Sequence, residues 1–259
     1  MDGVPLDDRG LLLADGLFET LLWKNGALTL AKAHAARMAK GAAALGLAAP
    51  SLDDFRTRAE AAVRDAGLGA SRAAVRITLT AGSGGRGLER PEAPSPRLFA
   101  TAAPSQRPTG AARLFVSTIR RNPSSPASRF KTLAYLDNVL ARREARAAGA
   151  DEGAMLSTSG ELACAAAANL FWIEGGALFT PAAETGRLGG IMAGEVMTAA
   201  RRLGVRMREV REGPEALARA DAIFLTNSLI GLRAAYMIAP PANPHPLVER
   251  LANAVEPVA

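Results

Sequence analysis

The sequence predicts a two-domain α/β or α+β enzyme, and three observations carry that prediction. Helix-periodic and strand-periodic stretches interleave in both halves of the chain. A Pro- and Ser-rich segment, "RRNPSSPASR" at 120–129, separates those halves. The chain has 259 residues, 49% of them hydrophobic, enough to bury a sizeable core. The expected division is a small N-terminal domain at 1–119, a linker at 120–130 and a larger C-terminal domain at 131–259.

Taken in order, "LAKAHAARMAKGAAALGL" (31–48) has helical periodicity and closes on Gly46. "SLDDFRTRAEAAVRDAGLG" opens with Ser51, carries Asp54 three positions on and ends at Gly67, the pattern of a capped helix. "AAVRITLT" (73–80), "RLFATAA" (97–103) and "ARLFVSTI" (112–119) read as strands. Beyond the linker, a helix at about 134–148 places Leu136, Val139 and Leu140 on one face. Strands follow at 153–158 and 170–180, the latter folded at Gly175-Gly176. The Gly-rich turn "GRLGGIM" leads into a helix at 192–203; then "VRMREV" reads as strand, "GPEALARA" as helix and "DAIFLTN" as strand.

Composition excludes several classes. A single cysteine, Cys164, rules out an internal disulfide and any cysteine-based zinc cluster. The acidic, polar start "MDGVPLDDRG" is unlike a signal peptide, and no apolar run reaches the roughly 20 residues that span a bilayer. A cytoplasmic enzyme with no membrane partner is expected. The net charge is +6, but the arginines are scattered and aromatics are only 5%, so no nucleic-acid partner is expected either.

Of 31 basic residues only Lys24, Lys32, Lys40 and Lys131 are lysines. Lys131, in "SRFKTLAYLDN", lies between Phe130 and Thr132-Leu133 just ahead of a helical pattern, whereas the other three lie in stretches that read as turn or helix surface. A desolvated lysine can give up its proton and form a Schiff base with a carbonyl, which arginine cannot. The same flanks also suit a lysine stem lying along a helix start with its head in water. "GRLGGIMAGEVM" presents backbone N–H groups at a helix N-terminus, suited to a phosphate. "LTNSL" (225–229) ends an apolar strand in polar side chains that line a site or cap a turn. His34 and Arg37 share a helix face, with Arg37 either holding a phosphate or solvated.

Together these pieces resemble the class IV aminotransferase family, the fold-type IV pyridoxal-phosphate enzymes. "DRGLLLADGLFETLLWKNGAL" (8–28) looks like the family opening, with "ADGLFET" where a GDG-x-FE box is usual. "HAARM", "RITLTAGSGGRGL" (76–88), "FKTLAYLDNVLA" (130–141), "DEGAML" (151–156), "AANLFW" (167–172), "GGIM" (189–192) and "FLTNSL" (224–229) follow in family order. The resemblance implies pyridoxal 5′-phosphate in the cleft between the two domains, and a homodimer in which each subunit helps close the other's site. It makes Lys131 the Schiff-base lysine. It gives the phosphate to Arg37 and the backbone of Ile191 and Met192, joined by Asn227 or Ser228, and sets Tyr135 against the cofactor's phenolic oxygen. The family opening usually includes a short strand ahead of the "DRG" box, for which "MDGVPLD" leaves little room.

Within the family the motifs read most like the 4-amino-4-deoxychorismate lyase branch. That branch eliminates pyruvate from its substrate and leaves 4-aminobenzoate, a folate precursor. Lys131 would remove the proton beside the amine, Lys131 or Thr20 would protonate the leaving group, and Arg86 in "GGRG" would hold a substrate carboxylate or brace its loop.

One departure matters. The family carries a glutamate five residues before the Asn of "NLFW", paired with the pyridine nitrogen; here that position is Cys164. The nearest acid, Glu161, would face the other way in an extended segment. A thiol is a poor substitute for a carboxylate that keeps the ring protonated. Transamination leans on that protonation, whereas the lyase gains from aromatisation, so the change favours the lyase. Ala134 and Ala193 stand where relatives often have Asn and Arg. The alternatives are a transaminase for D- or branched-chain amino acids, and a cofactor-binding protein with little turnover.

Overall fold

The structure is a computed structural model that describes residues 3–85 and 87–255. Arg86, the candidate for holding a substrate carboxylate or bracing its loop, lies outside the described residues. The chain forms two compact units, Met1–Gln106 with Phe130–Ala134, and Arg107–Arg129 with Tyr135–Ala259.

The first unit runs α1 (Arg9–Leu13), β1 (Gly16–Lys24), β2 (Ala27–Leu28), α2 (Ala31–Ala44), α3 (Leu52–Asp65), β3 (Ala73–Thr80) and β4 (Arg97–Pro104). Its sheet is antiparallel with order β2-β1-β3-β4, and β1 pairs with β3 from Gly16↔Thr80 to Trp23↔Ala73. Asn25 and Gly26, with φ of 54° and 78°, make the tight turn between β1 and β2. Side chains alternate along β1. Leu17, Leu21 and Trp23 join Met38 of α2, Phe55 and Val63 of α3, and Val75 and Ile77 of β3 in one buried cluster. Ser51 caps α3 as expected, its Oγ accepting from the Asp54 N–H at 3.0 Å.

The second unit contains β5 (Ala112–Arg121), α4 (Pro126–Arg129), α5 (Leu136–Ala147), β6 (Glu152–Ser157), β7 (Leu162–Ala165), β8 (Asn169–Glu174) and β9 (Ala177–Pro181). It continues through α6 (Ile191–Arg202), β10 (Met207–Val210), α7 (Glu215–Arg219), β11 (Ala222–Asn227), β12 (Gly231–Tyr236) and α8 (Pro246–Val255). The eight strands form one mixed sheet, order β10-β9-β8-β11-β12-β5-β6-β7. Phe171 and Phe224 stack at 5.1 Å across the central β8–β11 pair, and Leu162, Leu170, Trp172 and Leu225 pack in one buried cluster.

Two features differ from the sequence reading. Strand 112–121 pairs with β6 and β12, so it belongs to the second unit's sheet and not to an N-terminal domain ending at 119. Helix α5 turns Leu136 and Val139 outward, 67% and 59% exposed, and buries Asn138, Ala141 and Ala145 instead. The backbones approach closely at Ala141: a Cβ on Gly153 of β6 would meet the Ala141 carbonyl oxygen at 2.7 Å.

Candidate active site

In the first unit, residues 130–134 run beside the start of β1. The Phe18 N–H donates to the Lys131 carbonyl at 2.9 Å, and the Leu133 N–H donates to the Gly16 carbonyl at 3.0 Å. Leu17 and Thr132 form the antiparallel bridge between those two bonds. Lys131 is therefore held as an extra strand residue rather than at a helix start. Its Nζ lies 4.2 Å from the centroid of the Phe18 ring. The Arg76 guanidinium lies 3.7 Å from the same centroid. Thr20, two residues beyond Phe18 and half-buried, shares that face of β1 and pairs with Arg76 in the β1–β3 register. The Thr132 hydroxyl is buried and has no hydrogen-bond partner, the kind of orphan that a ligand resolves.

Glu19 points to the opposite face of β1, under α2. Arg37 donates to both of its carboxylate oxygens, and His34 Nδ1 lies 2.7 Å from Oε2. Burial pushes the Glu19 carboxyl up, but the hydrogen bonds from Arg37 and then His34 outweigh it and leave it below the usual carboxylate range. The spacing of His34 and Arg37 was legible in the sequence; their common partner was not.

In the second unit, α6 begins at Gly190, which has extended backbone and no side-chain cap. Ile191 and Met192 follow in the first turn, where N–H groups lack intrahelical acceptors. Asn169 of "NLFW" donates Nδ2 to the Leu188 carbonyl at 2.8 Å and so pins the Gly-rich turn. A Cβ on Gly190 would meet Asn169 Oδ1 at 1.8 Å, so a side chain there would displace the Asn169 amide or the helix start. The sequence reading used Asn169 only as a motif landmark. At the end of β11, Asn227 braces its own turn and a second loop: Oδ1 accepts from the N–H groups of Leu229 and Ile230, and Nδ2 donates to Ala167 O, ahead of β8. Tyr135 precedes α5 and falls in the second unit.

Cys164 lies on β7 opposite Met155, among Ala141, Ala163 and Ala166. Burial pushes its thiol up, against a downward pull from Arg121, so it is neutral at pH 7. Arg121 ends β5 at 6% exposure; it donates Nε to Gly186 O and Nη2 to Ser128 O, and among the described residues it has no carboxylate partner. Nothing in the sequence reading singled it out. Glu161, the nearest acid in sequence, accepts from Arg211 Nε at 2.9 Å.

Among the described residues no helix is long and apolar enough to cross a membrane. The family model described as amino-transferase class IV matches residues 16–236. The chain is 26% identical over 226 residues to the aminodeoxychorismate lyase of Bacillus subtilis (strain 168), covering 86% of this chain and 77% of that one. Its fold matches the 4-amino-4-deoxychorismate lyase from Pseudomonas aeruginosa with a TM-score of 0.87 and 28% identity, over 99% of this chain and 96% of that one. It also matches the branched-chain amino acid aminotransferase of Escherichia coli with a TM-score of 0.89, covering 99% and 90% of the two chains. There the identity is 23%, a likeness of fold alone. The chain belongs to the class IV aminotransferase family.

Proposed function

We propose that the protein is a pyridoxal-phosphate-dependent lyase acting on 4-amino-4-deoxychorismate, releasing pyruvate and 4-aminobenzoate. The residues present fit the cofactor on grounds internal to each unit. The first offers a lysine fixed at its backbone beside an orphaned buried hydroxyl. The second offers a helix N-terminus at Gly190, where a side chain would collide with the Asn169 amide. Lys131 would carry the cofactor. Arg37, the Ile191 and Met192 N–H groups and Ser228 would hold its phosphate, since a planar guanidinium and helix-terminal N–H groups both match a dianion. Bound, the group supplies an electron sink conjugated to the substrate's amino nitrogen.

The chain's residues then divide the work. Lys131 Nζ removes the proton from the carbon that bears the amine. The ether C–O bond to the enolpyruvyl group breaks as the ring becomes aromatic. The enolpyruvate takes up a proton, from Lys131 or the Thr20 hydroxyl, and leaves as pyruvate. The Phe18 ring beside Lys131 shields that amine from water on one side.

The single observation carrying lyase over transaminase is Cys164, a buried neutral thiol where the family places a ring-nitrogen carboxylate. Amino transfer needs the protonated ring in both half-reactions, whereas aromatisation drives the elimination independently. A homodimer belongs to the same reading, supported by exposed Leu11, Leu12 and Leu13 on α1 and Leu88.

The test is product analysis with purified protein and pyridoxal phosphate. Equimolar pyruvate and 4-aminobenzoate from 4-amino-4-deoxychorismate, abolished in Lys131→Ala, is the expected result. Amino transfer from D-alanine or a branched-chain amino acid to a 2-oxo acid, without 4-aminobenzoate, would replace the lyase by the transaminase. Retained cofactor with no product from any amine would make the protein a binder.

A further inference from the structure

Glu19 takes no part in the proton transfers above, yet it is among the most deeply buried charges in the first unit. Its side chain is 1% exposed, and that of its neighbour His34 is 0% exposed. It lies on the helix-covered face of β1, flanked along the strand by Leu17 and Leu21 of the core cluster. A carboxylate in such surroundings is costly unless its oxygens are answered. Here Oε1 accepts Arg37 Nε–H at 2.8 Å and Oε2 accepts Nη2–H at 2.5 Å. Oε2 also lies 2.7 Å from His34 Nδ1.

Two parallel bonds to one carboxylate do more than pair charges. They fix the plane of the guanidinium and remove rotation about the end of a long side chain. A guanidinium has five N–H donors in a rigid fork. The clamp uses its Nε–Nη2 edge, which turns the Nη1 side away from Glu19. Of the three residues Arg37 is the most exposed, at 18% of its side chain. His34, one helical turn before Arg37 on α2, holds the carboxylate from a second direction and stops it following the arginine if the arginine moves.

We propose that Glu19 is a positioning residue for phosphate capture: with His34 it holds Arg37 in the orientation in which its outer edge meets the cofactor's phosphate. This rests on the phosphate role given to Arg37 above. Two effects compete, since the Glu19 charge also offsets part of Arg37's attraction for a dianion. The proposal states that orientation outweighs charge, and the two give opposite signs in one experiment.

The experiment compares binding of pyridoxal phosphate and of pyridoxal, which lacks the phosphate, by absorbance titration of cofactor-free protein. Glu19→Gln keeps the shape and removes the charge. Its phosphate preference, the ratio of the two affinities, is expected to fall about tenfold, while pyridoxal binding stays within about twofold. An unchanged or increased preference overturns the proposal. Should Glu19→Gln fail to fold, Arg37→Lys keeps the positive charge but loses the two-point clamp. It is expected to lose the same preference, and wild-type preference in that variant also overturns the proposal. The failure of the underlying reading looks different: the wild type would then show no preference for the phosphate, or Arg37→Gln would leave that preference intact.

Discussion

Phe18 holds Lys131 at both ends. Its backbone N–H donates to the lysine carbonyl at 2.9 Å, and its ring lies 4.2 Å from the lysine Nζ. The main-chain bond does not depend on the Phe18 side chain, whereas the ring contact does. Phe18→Leu is expected to lower kcat about tenfold through misplacement of the amine. It should cost only about 1 kcal/mol of stability, as a conservative core exchange. Steady-state kinetics and thermal unfolding on one preparation check both; unchanged kcat would mean that the ring only packs.

Asp15 ties together the turn after α1 and the loop at 87–90. It accepts from Arg90 Nη2 at 2.5 Å and from Arg9 Nε at 3.0 Å, while Arg9 also donates to the Leu88 and Glu89 carbonyls. The Arg90 hydrogen bond, aided by Arg9, holds its carboxyl below the ordinary 3.8 against the opposing effect of burial. A depressed folded value means stabilisation that is present above 3.8 and lost as pH falls through the lower folded value. Asp15→Asn should therefore lower Tm at pH 7, with the gap to wild type closing as the pH falls below that range. A gap independent of pH would assign the loss to shape instead of charge.

Gly190→Ala places a methyl carbon where Asn169 Oδ1 stands, 1.8 Å from an ideal Cβ. Asn169 must then release Leu188 or the first turn of α6 must shift. Pyridoxal phosphate affinity is expected to fall at least about tenfold, with far-UV circular dichroism unchanged. Wild-type affinity in this variant would remove the α6 N-terminus from the phosphate site.

Cys164→Glu returns a carboxylate to the neighbourhood of Arg121, a buried cation whose hydrogen-bond partners among the described residues are the Gly186 and Ser128 carbonyls. Conversion of bound cofactor to pyridoxamine phosphate by D-alanine should rise about tenfold or more, because a protonated ring is a stronger electron sink. Formation of 4-aminobenzoate should change less than about threefold. The reverse pattern would detach Cys164 from the choice of reaction.

Much of this was legible from local pattern. Ser51 and Asp54 announced the start of α3, Gly175-Gly176 the β8–β9 turn, and "AAVRITLT" matched β3 residue for residue. Strand β5 reads as a strand from its own residues, but no local signal says which sheet it joins, because β6 and β12 lie far along the chain. Helix α5 misled because Leu136 and Val139 face outward while Ala141 meets Gly153, a long-range fit invisible to periodicity. At the site, single residue types were readable and partnerships were not. Nothing near Arg37 in sequence points to Glu19, 18 residues earlier. Asn169 reaches Leu188 across 19 residues in the same way.

The central claim is that Lys131 carries pyridoxal phosphate. The direct measurement is the absorption spectrum of the purified protein incubated with the cofactor, before and after borohydride, with peptide mass mapping of the fixed adduct. The account predicts a yellow protein that bleaches on reduction and a single phosphopyridoxyl label on Lys131. A protein that stays colourless and unlabelled, or a label on Lys24, Lys32 or Lys40 in place of Lys131, would contradict it.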